Sequence, residues 1–243
     1  MKIVVGMAGL GTRFQEAGHK YPKPLIRTGN TTMIQNVYYS LDWPDAEWHF
    51  IALKEHTRDY NFMLPLLESM GNVTVIDNPT RGAAETLLFC NEVMNSEDPF
   101  ISVNCDQVFE WDTTELRSKM AIEPNASYMT VYSATDEQRH SFALTKDDSD
   151  DVWHCAEKTR LGYNTRNATT GFYHFAKGTW YKEAATRLLS KEPQYGEYYL
   201  SSVYNELIED ERIVKIYKVH GKTFWPVGTQ PDYLHYTHRH YRR

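Results

Sequence analysis

Short apolar runs alternate with segments of helical periodicity along the first part of this sequence, and no other feature constrains the fold as strongly. Four runs are typical of buried strands, at residues 2–8, 49–53, 73–76 and 100–104. The intervening segments place apolar residues three and four positions apart, as helices do, at residues 32–41, 57–70 and 82–94. Pro65 is expected to start or kink a helix within the second of these segments. Strands and helices that alternate in this way predict a parallel sheet flanked by helices.

The second half of the chain has a different pattern. Strands are predicted at residues 126–134, 142–144 and 170–175, helices at 179–189 and 199–209, and an edge strand at 213–219 that ends near Gly221. The sequence has no internal repeat, and no linker rich in Pro, Gly or Ser separates the two halves. We therefore expect one α/β domain over residues 1–243, with a mostly parallel central sheet and a mixed sheet in its second half.

Composition places the chain among ordinary globular proteins and excludes some partners. Its 243 residues are 41% hydrophobic and 24% charged, which argues against intrinsic disorder. Lysine and arginine number 26 against 32 aspartates and glutamates, for a formal net charge of −6. Proteins that coat DNA or RNA need a basic surface, so we expect no nucleic-acid polymer among the partners.

The cysteines and the N-terminus bear on the compartment. Cys90, Cys105 and Cys155 are far apart and form no CxxC pair, which argues against a disulfide framework and against a thiolate zinc site. The N-terminal apolar run is too short for a signal peptide, and no run of about 18 apolar residues occurs. We therefore expect a soluble, cytoplasmic protein without membrane insertion.

A glycine-containing loop follows the first predicted strand and reads Gly9-Leu10-Gly11-Thr12-Arg13-Phe14. It is not a dinucleotide fingerprint, because Phe14 stands where the third glycine is needed, and it is not a P-loop, because no GK[ST] follows. Two glycines still let the backbone approach an anionic ligand closely, and Arg13 adds a forked cation. Pro22 and Pro24 then stiffen the backbone around Lys23. These features together predict a phosphate-binding site.

The GLGTRF loop followed by PKPL resembles the N-terminal signature of the nucleotidyltransferases that activate sugar 1-phosphates, such as glucose-1-phosphate thymidylyltransferases; cytidylyltransferases acting on phosphocholine are related. Further similar segments follow in order along nearly the whole chain. The resemblance implies a GT-A-like α/β fold with a nucleotide-binding half at residues 1–110 and an acceptor-binding half at residues 111–243. It implies a nucleoside triphosphate and a sugar phosphate, or a similar small phosphate, as partners. A homo-oligomer is compatible with the sequence.

The same resemblance assigns roles to residues on the nucleotide side. Arg13 would hold the departing pyrophosphate and Lys23 the reacting phosphate. Asp106, which follows the fourth predicted strand, matches the aspartate that holds Mg²⁺ in this family. Contacts with the nucleotide are implied for Met7, Ala8, Gly9, Leu10, Gly11, Thr12, Gly82, Ala83, Ala84 and Glu85. Glu85 alone has a simpler interpretation, since a carboxylate at a helix N-terminus favours the helix dipole.

On the acceptor side, the resemblance rests on a Glu-Lys pair, on a Thr-Gly-Phe-Tyr strand and on the segment Gly196-Glu197-Tyr198-Tyr199-Leu200. It implies acceptor contacts by Glu157, Lys158, Thr170, Gly171, Tyr173 and Glu197. Taken by itself, a Glu-Lys pair is usually a solvated surface pair. Its position between the other motifs is what points to an acceptor site.

The closing motif Phe224-Trp225-Pro226-Val227-Gly228-Thr229 departs from the family pattern. Pro226 stands where many members carry a second metal-binding aspartate, and proline has no side-chain ligand for magnesium. Either the metal is held by Asp106, nucleotide phosphates and water, or another carboxylate replaces the missing one. Asp232 is the candidate replacement, because it lies nearby in sequence. Magnesium sites often use one or two carboxylates with substrate phosphates and water.

The leading hypothesis is an Mg²⁺-dependent nucleotidyltransferase that makes an NDP-sugar and pyrophosphate. One alternative is a CTP-dependent cytidylyltransferase acting on phosphocholine or another small phosphate. A glycosyltransferase that uses a finished NDP-sugar would carry a DxD motif, whereas this chain has Asn104-Cys105-Asp106. A different class is an inactive nucleotide-sensing module, for which Pro226 is the one supporting feature.

Overall fold

The computed structural model describes residues 1–134, 140–146, 149–158, 166–220 and 223–241. Gly221, the predicted turn after the edge strand, lies outside these residues. The strands are β1 (Lys2–Met7), β2 (Arg27–Thr28), β3 (Thr31–Thr32), β4 (Glu47–Leu53), β5 (Asn72–Ile76), β6 (Phe100–Val103), β7 (Gln107–Phe109), β8 (Ser127–Ser133), β9 (Ser141–Thr145), β10 (Val152–Glu157), β11 (Asn167–Phe175), β12 (Val214–Lys218) and β13 (Phe224–Pro226).

The helices of the same described ranges are α1 (Thr12–Glu16), α2 (Met33–Ser40), α3 (Lys54–Asp59), α4 (Met63–Glu68), α5 (Ala83–Leu87), α6 (Asn91–Met94), α7 (Thr114–Ile122), α8 (Gly178–Leu189), α9 (Leu200–Glu209) and α10 (Gln230–Tyr241). Lys23–Leu25 and Gln194–Gly196 form short 3₁₀ turns. None of these helices combines the length and the hydropathy that crossing a membrane requires.

The strands of the first half form the parallel part of the central sheet. They lie in the order β6-β1-β4-β5, and each neighbouring pair is parallel. Ile3, Val4 and Val5 in β1 are completely buried, because helices cover both faces of the sheet. A continuous apolar run is the pattern that such a doubly covered strand needs, so the predicted parallel sheet is confirmed.

The second half extends this sheet with mostly antiparallel strands. The path continues from β6 to β11, β9 and β10, each pair antiparallel. Strand β8 pairs antiparallel with β11 and parallel with β12, which lies at an edge as predicted. The result is a single mixed α/β sheet whose two halves meet where β6 pairs with β11.

Side chains of alternating strand positions fill two core layers. Val4 and Ile51 face the layer covered by α5, α6, α8 and α9. Ile3 and Val5 face the opposite layer, covered by α2, α4 and α7. Part of the aromatic content is placed in the first layer, where the rings of Phe175 and Tyr204 stack with centroids 4.7 Å apart. This two-layer packing fixes the sheet that carries the cavity described below.

Several elements differ from the sequence prediction. The predicted helix at 57–70 is two helices, α3 and α4, and Pro65 is the third residue of α4, where no backbone donor is needed for an intrahelical bond. The predicted helix at 82–94 is likewise divided into α5 and α6. Strand β10 was not predicted, because the apolar Trp153 stands at an exposed position and breaks the expected alternation of buried apolar and exposed polar residues. Helix α7 buries only Leu116 and Met120, which is too few apolar positions for a periodic signal.

Candidate active site

A cavity of about 710 Å³ opens at the carboxyl ends of β1 and β6, the edge at which open α/β sheets bind ligands. Two groups of segments face each other across it. We call residues 6–14 and 79–86 the N-terminal wall, and residues 140–141, 157–158, 169–173 and 196–200 the C-terminal wall. Lys23 and Asp106 lie on the floor between the two walls.

Most of the predicted site residues meet in this cavity. Those that line it are Met7, Ala8, Gly9, Leu10, Gly11, Thr12, Arg13, Lys23, Gly82, Ala83, Asp106, Glu157, Lys158, Gly171, Tyr173 and Glu197. Ala84, Glu85, Thr170 and Asp232 do not line it. Thr170 is completely buried and its hydroxyl is hydrogen-bonded to that of Thr130. The structure thus brings together segments that are up to about 190 positions apart in the chain.

The loop after β1 lines the cavity and contributes two glycines, Gly9 and Gly11. Gly11 has φ +68° and is followed directly by helix α1, whose Phe14 amide donates to the Gly11 carbonyl at 3.0 Å. A left-handed residue is required there, and glycine adopts that conformation without strain. Phe14 is buried against Ile26 and Met33, which fixes α1 in place. The guanidinium of Arg13, on the exposed side of α1, makes no hydrogen bond or ion pair within the described ranges.

The two walls are joined directly at Gly82. The Ala84 amide donates to the Tyr198 carbonyl at 3.0 Å, and the Tyr198 amide donates to the Arg81 carbonyl at 3.1 Å. Gly82 lies between these bonds with φ +150°, and a Cβ there would come within 2.5 Å of the Tyr198 backbone nitrogen. Only glycine fits this conformation and this space.

Glu85 serves the same segment without facing the cavity. Its carboxylate accepts from the Arg81 side chain at 2.7 Å and from the Arg81 backbone amide at 2.6 Å. The Arg81 hydrogen bond holds the pKa of Glu85 below its usual value, although partial burial opposes this. The Arg81 guanidinium also lies 5.2 Å from the centroid of the Tyr198 ring. Glu85 therefore orients Arg81, which does line the cavity.

On the cavity floor, Lys23 forms an ion pair with Asp106. Pro24 and Leu25, which follow Lys23, are buried and anchor the turn. The Lys23 ammonium faces the cavity. The side chains of Lys23 and Asp106 are only 25% and 11% exposed. Burial opposes the charged form of Lys23, but the attraction of Asp106 outweighs it and raises the lysine pKa above its usual value. Lys23 is therefore a permanent cation in this site.

The closing motif packs directly against Asp106. Strand β13 pairs with β7, which places Pro226 opposite Gln107, and the Val227 amide donates to the Asp106 carbonyl at 2.9 Å. A Cβ on Gly228 would overlap the Asp106 carboxylate, so this glycine is needed for the close approach. Pro226 thus occupies the position beside Asp106 but offers no side-chain oxygen.

Asp232 lies in the first turn of α10 and outside the cavity lining. Its carboxylate accepts from the Thr229 hydroxyl at 2.5 Å, and its amide donates back to that oxygen at 3.4 Å. This is the arrangement of a helix N-terminal cap, and it gives the Asp232 carboxylate a role at the start of α10.

The floor fits a hard divalent cation. Asp106 is buried, and on the next residue the side-chain oxygen of Gln107 is also buried and accepts no hydrogen bond from the described residues. Both residues line the cavity. Buried acceptors without a partner are rare. Carboxylate and amide oxygens are ligands that Mg²⁺ uses, together with water and substrate phosphates. These donors are therefore compatible with a divalent metal.

The C-terminal wall is built around a buried carboxylate. Glu157 is 4% exposed and accepts hydrogen bonds from the hydroxyls of Ser141 and, at 3.1 Å, Ser201. Burial raises the pKa of Glu157 above its usual value, while the two serine hydroxyls hold it down. Ser141 and Ser201 were not predicted as site residues, because isolated serines carry no sequence signal.

Lys158 extends from the same strand end into the cavity. Its backbone has φ +50°, and its ammonium donates to the Tyr199 hydroxyl at 2.6 Å. The ammonium also lies 4.9 Å from the centroid of the Tyr199 ring and 5.8 Å from that of Tyr195. Lys158 is therefore held beside Glu157 by aromatic residues of a distant segment.

Gly171 lets the central strand of this wall approach the floor. It has φ +85°, and a Cβ there would come within 2.7 Å of the Asn104 side chain and 2.8 Å of Gln107. The Asn104 amide donates to the Gly171 carbonyl at 2.9 Å. Nearby, Tyr173 is buried and its hydroxyl is paired with Thr169 at 3.0 Å. The glycine of the Thr-Gly-Phe-Tyr motif is thus a packing requirement as well as part of the cavity lining.

Comparisons with known proteins agree with this geometry. The family model of nucleotidyl transferases matches residues 2–241, nearly the whole chain. No curated protein matches the chain at a significant level.

Solved structures with the same fold share little sequence with this chain. The nucleoside-diphosphate-sugar pyrophosphorylase from Vibrio cholerae RC9 has a TM-score of 0.82 and 21% identity, over 97% of this chain and 99% of that one. A Bacillus anthracis protein assigned as a glucose-1-phosphate thymidylyltransferase, solved with sucrose, has a TM-score of 0.77 and 19% identity, over 98% and 94% of the two chains. A UDP-glucose pyrophosphorylase in complex with UDP-glucose has a TM-score of 0.77 and 13% identity, over 99% and 98%.

These likenesses confirm the predicted GT-A-like α/β fold. The cavity lies where open α/β sheets bind ligands, and it gathers the glycine loop, Lys23 and Asp106 into one site. With the family match extending over residues 2–241, the chain belongs to the nucleotidyl transferase family.

Proposed function

We propose that this chain joins a nucleoside triphosphate to a sugar 1-phosphate and releases an NDP-sugar and pyrophosphate. The observation that carries the proposal is the cavity itself, in which the Lys23–Asp106 pair lies between a glycine-rich wall and a wall with a buried glutamate. One site therefore has the means to hold two phosphorylated ligands end to end. The family match and the folds of the sugar-nucleotide pyrophosphorylases support this reaction.

In this proposal the N-terminal wall binds the nucleoside triphosphate. The exposed backbone of Gly9 and Leu10 approaches the phosphates closely, and Arg13 offers a guanidinium that has no hydrogen bond or ion pair within the described ranges. A forked cation of this kind suits phosphate oxygens. We assign Gly82, Ala83 and Arg81 to the base and sugar of the nucleotide, with Glu85 acting only through Arg81, because this segment closes the wall.

The C-terminal wall binds the acceptor. Glu157 accepts hydrogen bonds from two serines and keeps further lone pairs. Its ionised form is therefore able to accept hydrogen bonds from the hydroxyl groups of a sugar. Lys158, on the next residue, supplies a cation for the acceptor phosphate. Glu197 and Tyr173 complete this part of the lining. A neighbouring carboxylate and ammonium match a ligand that carries hydroxyls at one end and a phosphate at the other.

The chemistry asks for positioning and for compensation of negative charge. The acceptor phosphate is already anionic, so its attack on the α-phosphorus needs no general base. The leaving pyrophosphate and the pentavalent transition state need cations in fixed positions. Lys23 lies on the floor, Arg13 belongs to the N-terminal wall and Lys158 to the C-terminal wall. Asp106, with Gln107, would hold a divalent metal, which offsets phosphate charge when it is bound.

We propose Mg²⁺ for that site, because the available ligands are oxygens. Asp232 is hydrogen-bonded at the start of α10 and does not line the cavity, so we favour Gln107 as the additional ligand. Both substrates are highly charged metabolites that do not cross membranes unaided. We therefore expect the reaction to occur in the cytoplasm.

The choline-phosphate alternative is less well supported. A quaternary ammonium needs a free aromatic surface, and the rings of Tyr195 and Tyr199 already face the ammonium of Lys158. A second cation beside Lys158 would be repelled. A sugar hydroxyl meets no such repulsion.

The deciding experiment is a matrix of the four common nucleoside triphosphates and dTTP against a panel of sugar 1-phosphates and phosphocholine, read by pyrophosphate release with and without Mg²⁺. We expect release with at least one sugar 1-phosphate, which is abolished by EDTA. The variant Asp106→Asn is the matched blank for contaminating activity. Release with phosphocholine alone would contradict the acceptor assignment, and no release with any pair would favour an inactive module.

A further inference from the structure

A second group of metal-type ligands lies at the amino ends of the parallel strands, away from the cavity at their carboxyl ends. Glu47 and His49 occupy alternate positions of β4, so their side chains share one face of the sheet. Glu92 reaches the same place from α6. One oxygen of each carboxylate and one ring nitrogen of His49 all lie within 4.8 Å of one another.

The histidine gives this group a specific character. His49 is only 5% exposed, and its Nε2 atom has no hydrogen-bond partner among the residues that the structure describes. The nearest carboxylate oxygen, Oε1 of Glu47, lies 3.4 Å away. A buried polar atom without a partner is costly, and this one faces two carboxylates. Burial also lowers the pKa of His49, against the opposing effect of Glu47.

Neighbouring side chains hold the two carboxylates in position. The Asn72 amide donates to Glu47 at 3.0 Å, which orients that carboxylate next to His49. The Lys2 ammonium donates to Glu92 at 2.5 Å. Hydrogen bonds from outer residues commonly orient metal ligands. Lys2 is different, because its positive charge competes with a cation for Glu92.

We propose that Glu47, His49 and Glu92 bind a transition-metal dication, represented by Zn²⁺, with water completing the coordination. One imidazole nitrogen with two carboxylate oxygens suits Zn²⁺, whereas Mg²⁺ prefers oxygen ligands throughout. On binding, Glu92 exchanges the Lys2 ammonium for the ion. The ion ties α6 to the start of β4 and stabilises the fold without taking part in nucleotidyl transfer.

The test is a Zn²⁺ titration of the full chain after removal of metals, with a competing fluorescent chelator as the readout. The background carries Asp106→Asn, which removes the carboxylate of the proposed Mg²⁺ site on the cavity floor. We expect one Zn²⁺ per chain and a higher Tm when it is bound. His49→Gln and Glu92→Gln should each weaken the Kd by at least about tenfold. The Glu92 side chain is 59% exposed, so this variant tests the site without endangering the fold.

His56→Gln is the matched control. His56 is also buried, with an Nδ1 atom that has no hydrogen-bond partner in the described part of the chain, but it lies on α3 outside this group. Its substitution should leave the Kd unchanged. Lys2→Met should tighten binding severalfold, because the competing ammonium is removed, and a purely structural ion pair predicts no such gain. Absence of binding at millimolar Zn²⁺, or an equal Kd in His49→Gln, Glu92→Gln and the parent, would overturn the proposal.

Discussion

The N-terminal wall contributes four glycines to the cavity lining, whereas the C-terminal wall is organised around the buried side chain of Glu157. Gly9, Gly11 and Gly82 leave room for main chain to line the cavity. On the other side, the carboxylate of Glu157 is held by Ser141 and Ser201, which come from different elements. Backbone recognition is encoded in short contiguous motifs, because only glycine permits it. Side-chain recognition is encoded by residues far apart in the chain.

This difference predicts which substitutions affect substrate binding and which affect folding. Substitutions on the floor should affect both substrates, those at the junction of the walls should affect folding, and those in either wall should affect one substrate only. The five predictions below begin on the floor, where we expect the greatest loss of activity, and end in the N-terminal wall, where we expect the least.

The largest effect is expected on the floor. Lys23→Met removes the ammonium that pairs with Asp106 on the cavity floor and should lower kcat by about 10²–10³. The proline-stiffened turn keeps its backbone, so circular dichroism should be unchanged. Pyrophosphate release measures the loss. Lys20→Met, an exposed lysine of the same loop, is the control and should retain activity. Near-normal turnover of the Lys23 variant with every nucleotide would remove Lys23 from the mechanism.

The second-largest effect is expected at Gly82, where the N-terminal and C-terminal walls are joined. Gly82→Ala forces a Cβ within 2.5 Å of the Tyr198 backbone at φ +150°. We expect a loss of about 2–4 kcal/mol in the free energy of unfolding and higher KM values for both substrates. Urea denaturation measures the first and steady-state kinetics the second. Gly9→Ala, whose Cβ would meet nothing within 4 Å, should stay within about 0.5 kcal/mol of the parent. Equal stability of the two variants would show that the walls are not locked together here.

A smaller and one-sided effect is expected in the C-terminal wall. Ser201→Ala removes a hydrogen bond that lowers the pKa of Glu157, so that pKa should rise further. We expect about a tenfold increase in acceptor KM and an acidic limb of the acceptor kcat/KM profile that moves to higher pH. The nucleotide KM should not change. Ser202→Ala, on the next residue of α9, should alter neither.

The same glutamate affects stability with a definite sign. Its folded-state pKa lies above the ordinary value, so its contribution favours the folded state at low pH. That contribution is lost as the pH rises through the folded-state pKa. Glu157→Gln should therefore make the free energy of unfolding less dependent on pH between the ordinary pKa of a glutamate and the raised folded-state pKa of Glu157. An unchanged pH dependence would mean that Glu157 does not titrate abnormally.

The smallest effect is expected in the N-terminal wall. Glu85→Gln weakens the contact that orients Arg81, which is largely exposed, so we expect only a two- to threefold rise in nucleotide KM. The preference among nucleoside triphosphates should stay the same. Glu85→Gln kinetics against ATP, CTP, GTP, UTP and dTTP test this, with Glu92→Gln as a remote control. A changed preference would instead assign Glu85 to recognition of the base.

Much of the site was visible in the sequence because its motifs have local causes. The loop after β1 needs glycine at position 11 for its left-handed turn, and Lys23 needs its flanking prolines for a rigid position. Asp106 follows a buried strand directly. The parallel strands were equally visible, since a strand buried on both faces must be a continuous apolar run.

The elements that were missed lack such local causes. Strand β10 and helix α7 owe their existence to the surfaces on which they pack, and their own sequences show little periodicity. The close packing of Gly228 against Asp106 follows from the pairing of β7 with β13, which joins segments far apart in the chain. The likeness of Pro226 to a metal-binding position was visible, but not that Gln107 lies opposite it.

The sequence alone determined the α/β class, the glycine-containing loop after β1 and the order of the motifs, because each depends on the chemistry of neighbouring residues. The tertiary structure decided which residues share the cavity, and it places Asp232 in the first turn of α10 and Glu85 against Arg81, outside the cavity lining. It also brought Glu47, His49 and Glu92 together at the other end of the sheet. Contacts between residues remote in the chain follow from strand pairing and packing, and no local pattern records them.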